Sequence, residues 1–191
     1  MIYKAIKKNL DKAVNFIDSG DIIVYPTDTI YGFGVDATNS NAINKLNILK
    51  NRLSPLSIIV SSDDMIKKFV NSDFKFTDVI KNLLPGAFTI LIENKNKILP
   101  QQVSLNTGKI GIRIPNSDFV IDLVKMIDRP IITTSVNIHN SKSLNNPSQI
   151  QKKFNSINIF SSNIKINSKG STIIDSTCNP FVVLRQGDGV I

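Results

Sequence analysis

Four cations and four small polar side chains are the residues of this 191-residue chain whose types and spacing could do chemistry. The cations are Lys50 and Arg52 in the segment Lys50-Asn51-Arg52, Arg113 in Ile110-Gly111-Ile112-Arg113-Ile114, and Arg185 before Gln186-Gly187. The polar set is Thr27, Ser135, Asn137 and Ser171, each beside a short apolar run. Lysine is a mobile point charge and arginine a rigid fork, so together they suit phosphate and carboxylate groups. For Lys50 and Arg52 a second reading stands beside the phosphate clamp: cations at a helix C-terminus simply complement its dipole. Arg113 is more telling. A cation at the end of a buried strand must be paired, solvated or binding something.

These residues need elements to position them. Ile22–Tyr25 is β-branched and aromatic, bounded by Gly20 and Pro26, and predicts a strand that stops at the proline. Thr27-Asp28-Thr29 and the loop Tyr31-Gly32-Phe33-Gly34 follow it, a setting in which α/β sheets place ligands. Pro130-Ile131-Ile132 runs likewise into Thr133-Thr134-Ser135-Val136-Asn137, and Gly170–Asp175 is a third such stretch. Polar strand ends of this kind, side by side, would line one pocket. Further strands are expected at 57–60, 88–92, 110–114 and 181–185, with a loose strand and loop over 157–166. Helices are expected over the second half of 4–19 and at 41–49, 63–70, 77–84, 118–126 and 148–154, and a polar loop over 94–106. The strands and helices mix without strict alternation. The reading is one α/β domain over residues 1–191, a twisted mixed sheet with packed helices.

Composition sets outer bounds. Hydrophobic residues make up 41% of the chain, enough for a packed core. A single cysteine, Cys178, excludes an intramolecular disulfide framework and a multi-cysteine metal site. No stretch approaches the ~18 apolar residues needed to span a bilayer, and the N-terminus lacks a signal-like run, so a cytoplasmic protein with no membrane partner is expected. The net charge of +8 favours polyanionic partners, nucleotides or RNA, without deciding between them. His139 reads as a solvated loop residue and Asp63-Asp64 as part of a helix cap. Asp28 and Asp36 read either as groups that orient the pocket or hold cations or, more commonly, as solvated loop carboxylates, and Tyr31 and Phe33 equally as core packing or as a base-stacking pair.

Several separated segments, taken in order, resemble the YrdC-like family, the threonylcarbamoyl-adenylate synthases. They are PTDTIYGFG at 26–34, KNR at 50–52, LPGAFTILI at 84–92, IGIRIP at 110–115, TTSVN at 133–137, GSTIID at 170–175 and VLRQG at 183–187. Departures include a short Leu53-Ser54-Pro55-Leu56 after KNR and Lys109 where a threonine is common. The resemblance implies the short single-domain form and the YrdC-like fold. It also implies synthesis of L-threonylcarbamoyl-adenylate from L-threonine, bicarbonate and ATP, with pyrophosphate released, for tRNA threonylcarbamoyladenosine modification. By the same resemblance Thr27, Arg113, Ser135 and Ser171 contact L-threonine, while Lys50, Arg52, Asn137 and Arg185 contact the nucleotide, with Lys50 and Arg52 catalytic. Magnesium is expected with ATP and no metal held by the protein alone. Expected partners include tRNA and the proteins of the threonylcarbamoyl-transfer machinery. Two other readings stay open: a non-catalytic module for double-stranded RNA or tRNA, and a related enzyme that makes another acyl-adenylate.

Overall fold

The computed structural model describes residues 1–162 and 167–191. In chain order the elements are β1 (Ile2–Lys4), α1 (Leu10–Asp18), β2 (Ile23–Tyr25), β3 (Gly32–Gly34), α2 (Ser40–Lys50), β4 (Ser57–Ile59), α3 (Asp63–Phe69), α4 (Asp78–Lys81) and β5 (Phe88–Glu93). There follow α5 (Gln101–Ser104), β6 (Lys109–Arg113), α6 (Asp118–Ile127), β7 (Ile131–Ser135), α7 (Pro147–Lys153), β8 (Asn158–Ser161), β9 (Thr172–Asp175) and β10 (Val182–Arg185). The strands form one mixed sheet in the order β1-β8-β2-β3-β7-β4-β6-β5-β9-β10. β8 is parallel to both β1 and β2, β4 to β6, and β5 to β9; the other neighbours run antiparallel.

Side chains alternate across a strand, and here the two faces differ sharply. Ile58, Ile90, Ile110, Ile112, Ile132 and Ile174 point one way, into a core shared with the buried residues of α1, α2, α3 and α6. Their neighbours Ser57, Thr89, Gly111, Arg113 and Thr133 point the other way. Register aligns them: Thr133 pairs with Ser57, Ser57 with Gly111, and Gly111 with Leu91.

Local chemistry sets the ends that matter. The Asn39 side chain caps α2 by accepting from the Ala42 amide. Asn51 closes the same helix in the left-handed conformation, φ 48°, which asparagine tolerates. The helix therefore ends between Lys50 and Arg52, which leave in different directions.

The structure differs from the sequence expectation in several places. Gly32–Gly34 is a strand and not a loop, paired on both sides. A Cβ at Gly34 would collide with the Tyr25 ring, so the glycine is what lets β2 and β3 lie together. The expected loop 94–106 contains the turn of helix α5, the helix expected at 77–84 is the single turn α4, and β1 was not expected. Of the strand and loop expected over 157–166, β8 occupies Asn158–Ser161; residues 163–166 lie outside the described residues. Thr133–Ser135 lie within β7 and not beyond its end. The polar residues gather on a sheet face, because a period of two brings every second residue of neighbouring strands to the same side.

Candidate functional site

That polar face carries a cavity of about 440 Å³. Its floor includes Gly32, Ser57, Thr89, Leu91, Gly111, Arg113 and Thr133; Ser171, Ile173, Leu184 and Arg185 wall one side, with Arg52, Pro55 and Leu56 elsewhere on the rim. A Cβ at Gly111 would run into Ser57, so this glycine keeps the floor open.

Arg113 ends β6 and is 6% exposed. Its Nη2 donates to Asp28 Oδ1 at 2.9 Å and to Thr29 Oγ1 at 3.2 Å. The second Asp28 oxygen accepts the Asn116 amide at 3.0 Å. Thr27 stands behind this arrangement. Its Oγ1 accepts the Thr29 amide at 3.1 Å and donates to the Ile30 carbonyl at 2.7 Å, fixing the turn that presents Asp28 and Thr29. Arg113 Nε is buried with no hydrogen-bond partner among the described residues. That unsatisfied donor is a cost of the fold and is enclosed by protein, so the nitrogen left for a ligand is Nη1, which is neither enclosed nor hydrogen-bonded among the described residues. Burial lowers the Arg113 pKa and the Asp28 charge opposes that.

Beside it, Ser171 Oγ shares a 2.7 Å hydrogen bond with Thr89 Oγ1. Arg185 Nη2 donates to the Ser171 carbonyl at 2.6 Å and to Ser171 Oγ at 3.2 Å. Burial lowers the Arg185 pKa, and the charge of Arg113 lowers it further. Two guanidinium groups that disfavour each other on one cavity form a seat for an anion.

Arg52 borders the opposite end. Its Nε bonds Ser54 Oγ, and Nη1 lies 3.5 Å from Thr134 Oγ1. Burial lowers its pKa. These hydroxyls leave its charge uncompensated, unlike Arg113, which has Asp28.

Lys50 is 1% exposed and turns away from the cavity. Its Nζ donates to the carbonyls of Ser135 and Asn137, the latter at 2.9 Å, and to Asn137 Oδ1 at 2.8 Å. Ser135 Oγ reaches the same Asn137 Oδ1 at 2.7 Å. Lys50 thus braces the segment that presents Ser135, using all three ammonium protons. Burial, reinforced by the charge of Arg52, pulls its pKa down to about 7.

The eight residues singled out from the sequence therefore fall in two layers. Arg52, Arg113, Ser135, Ser171 and Arg185 line the cavity, while Thr27, Lys50 and Asn137 support it from behind. Sequence reasoning missed the parts played by Ser57, Thr89 and Thr29, and it left Asp28 open between holding a cation and facing solvent; the structure pairs it with Arg113. Thr89 and Ser57 carried a signal: each is the one hydrogen-bonding side chain in an otherwise apolar strand run, 88–92 and 57–60. Among the described residues no group of three His, Cys, Asp or Glu gathers to hold a metal, and no helix is long and apolar enough to cross a membrane.

The Sua5/YciO/YrdC family model, described as telomere recombination, matches residues 15–187. The threonylcarbamoyl-AMP synthase of Pyrococcus abyssi is 26% identical over 181 residues, which are 92% of this chain and 53% of that protein. The human threonylcarbamoyl-AMP synthase is 28% identical over 188 residues, 93% of this chain and 67% of that protein. The chain thus spans about half the length of the Pyrococcus relative. The crystal structure of P. abyssi Sua5 complexed with L-threonine superposes with a TM-score of 0.85 at 24% identity, covering 98% of this chain and 56% of that one. With the family model covering nearly its whole length, this chain belongs to the Sua5/YciO/YrdC family.

Proposed function

We propose that this protein is an L-threonylcarbamoyl-adenylate synthase. The observation that carries the reading is the convergence of Arg113, Ser171 and Arg185 at one end of a cavity with Arg52 and Ser135 at the other. Relatives named for this activity, and a Sua5 structure that holds L-threonine, support it. In this reading the threonine carboxylate meets Arg113, whose Nη1 is left free by the bonds Nη2 makes, with Ser171 beside it. The triphosphate of ATP lies toward Arg52, and magnesium enters with it, held by phosphate oxygens.

The chemistry asks for positioning more than for a nucleophilic side chain. The threonine amine and bicarbonate condense to a carbamate with loss of water. A carbamate oxygen attacks the α-phosphorus, the bond from that phosphorus to the bridging oxygen breaks, and pyrophosphate departs. Arg52 offsets the charge that builds on the phosphates, while Lys50 holds Ser135 and Asn137 in place. Transfer of the product toward tRNA by partner proteins in the cytoplasm is the onward route this reading implies. The inward convergence of the cations favours a small anionic ligand over a non-catalytic RNA surface.

The test is pyrophosphate release from ATP, which is expected only when L-threonine and bicarbonate are both present. Release that depends on neither, or that another amino acid supports equally, would reject the assignment.

A pH dependence follows from Lys50. A bound polyanion favours the charged ammonium, so ATP binding takes up a proton above pH 7, and affinity falls as pH rises from 7 to 9. Titration calorimetry in two buffers of different ionisation enthalpy reads that uptake. Stability of the free protein moves the other way. The folded pKa, about 7, lies below the unfolded value of about 10.4, so folding releases a proton in that window. The Lys50 contribution to stability therefore rises with pH between about 7 and 10.

A further inference from the structure

Lys109 lines the cavity, and the function above gives it no task. Strand register locates it. Gly111 on β6 pairs with Ser57, which pairs on its other side with Thr133. Two residues one way along β6 is Arg113, and two residues the other way is Lys109, on the same face. At a strand rise of about 3.3 Å, their Cα atoms lie about 13 Å apart. Because β7 runs antiparallel to β4, Ser135 falls at the Lys109 end, and Arg52, beside Thr134, borders it too. Lys109 and Arg52 thus flank the end of the cavity remote from Arg113.

The Lys109 side chain is 39% exposed, and its Nζ donates to Asp175 Oδ2 at 2.7 Å. Asp175 is itself held independently: its Oδ1 accepts the Thr177 amide at 3.0 Å and Thr177 Oγ1 at 2.6 Å. The carboxylate stays in place if the lysine leaves, and the lysine stem is flexible enough to leave.

We propose that Lys109 is a second phosphate-binding residue, parked on Asp175 in the free protein and engaging the β- and γ-phosphates of the nucleotide, the pair that departs as pyrophosphate. This rests on the synthase reading. It divides the work: Arg52 at one rim and Lys109 at the other grip the leaving group, while Arg113 grips the amino acid. The competing role is purely structural, a clip tying β6 to β9 across β5.

Binding of ATP, AMP, inorganic pyrophosphate and L-threonine to the intact chain separates the two, measured by calorimetry alongside melting temperature. For Lys109→Ala, affinity for ATP and pyrophosphate is expected to fall roughly threefold to tenfold, with AMP and threonine unchanged. Lys109→Arg should retain most of the affinity. Asp175→Asn keeps an oxygen for Thr177 and frees the ammonium, so it should tighten pyrophosphate binding. A clip predicts instead that Lys109→Ala and Asp175→Asn both lower the melting temperature and shift ATP and AMP alike. That pattern, or pyrophosphate affinity unchanged in Lys109→Ala, overturns the proposal while leaving the synthase reading intact. A wild-type protein that binds neither ATP nor pyrophosphate overturns both.

Discussion

Replacing Arg113 with lysine is expected to weaken L-threonine binding by roughly tenfold to a hundredfold while the protein stays folded. Lysine keeps the positive charge beside Asp28, so the buried carboxylate, 12% exposed, remains paired. What it lacks is the fork. Arg113 spends Nη2 on Asp28 and Thr29 and still has Nη1 for a ligand, a second donor that an ammonium held by Asp28 cannot place. Hydrogen bonds to a charged group contribute about 1.5–3 kcal/mol, and each 1.4 kcal/mol is tenfold in affinity. Calorimetric titration with threonine, paired with a melting curve, checks this, and ATP affinity should change far less. Threonine affinity equal to wild type would remove Arg113 from the carboxylate site. Alanine is the poorer probe: stranding a buried charge costs about 3–5 kcal/mol, and loss of binding would then be confounded with loss of fold.

Gly187→Ala should lower stability by about 1–3 kcal/mol and impair threonine binding with it. A Cβ at Gly187 would overlap the Gly170 carbonyl oxygen and the Ser171 carbonyl group, which are backbone atoms with nowhere to rotate. Overpacking of this kind typically costs that amount. For a chain of this size it corresponds to a fall in melting temperature of roughly 2–12 °C. The displaced backbone is the one that presents Ser171 and receives Arg185, so the site is disturbed as well. Gly111→Ala is the informative comparison. Its tightest neighbour is the hydroxyl of Ser57, which can turn away, so a milder stability loss is expected there. If Gly187→Ala melts like wild type, the close approach of the two segments is not what fixes this corner.

Much of the site was legible because its parts are chemically conspicuous. Arginine at the end of an alternating strand and hydroxyls on apolar runs are rare combinations with few uses. Arg113, Ser135, Ser171 and Arg185 were reachable that way, and they share the cavity with Arg52, which the segment after a helix offered only as one of two readings. What could not be read was which way a side chain turns. A lysine in the last turn of a helix ordinarily faces water, yet Lys50 is drawn inward by three oxygens that lie 85 to 87 residues further along the chain. Nothing in its local spacing encodes that. Likewise Asp28 stays open between a solvated loop carboxylate and a group that holds a cation until Arg113 arrives beside it from another strand. Gly32–Gly34 reads as a loop because two glycines in three residues weaken any strand; the Tyr25 ring, filling the space of the missing side chain at Gly34, outweighs that preference.

The strand order has a consequence for how the protein comes into being. β8 sits between β1 and β2, so Ile2 must find Ile159 and Ile23 must find Asn158 before that side of the sheet closes. On the other side β5 waits for β9, joining Thr89 to Ile173. A nascent chain emerging from the ribosome would carry its first helix and hairpin long before their permanent neighbours exist. Such long-range pairing slows folding and leaves unpaired edges open in the interim. The later β8 and β9 arrive, the longer those edges stay open to wrong partners.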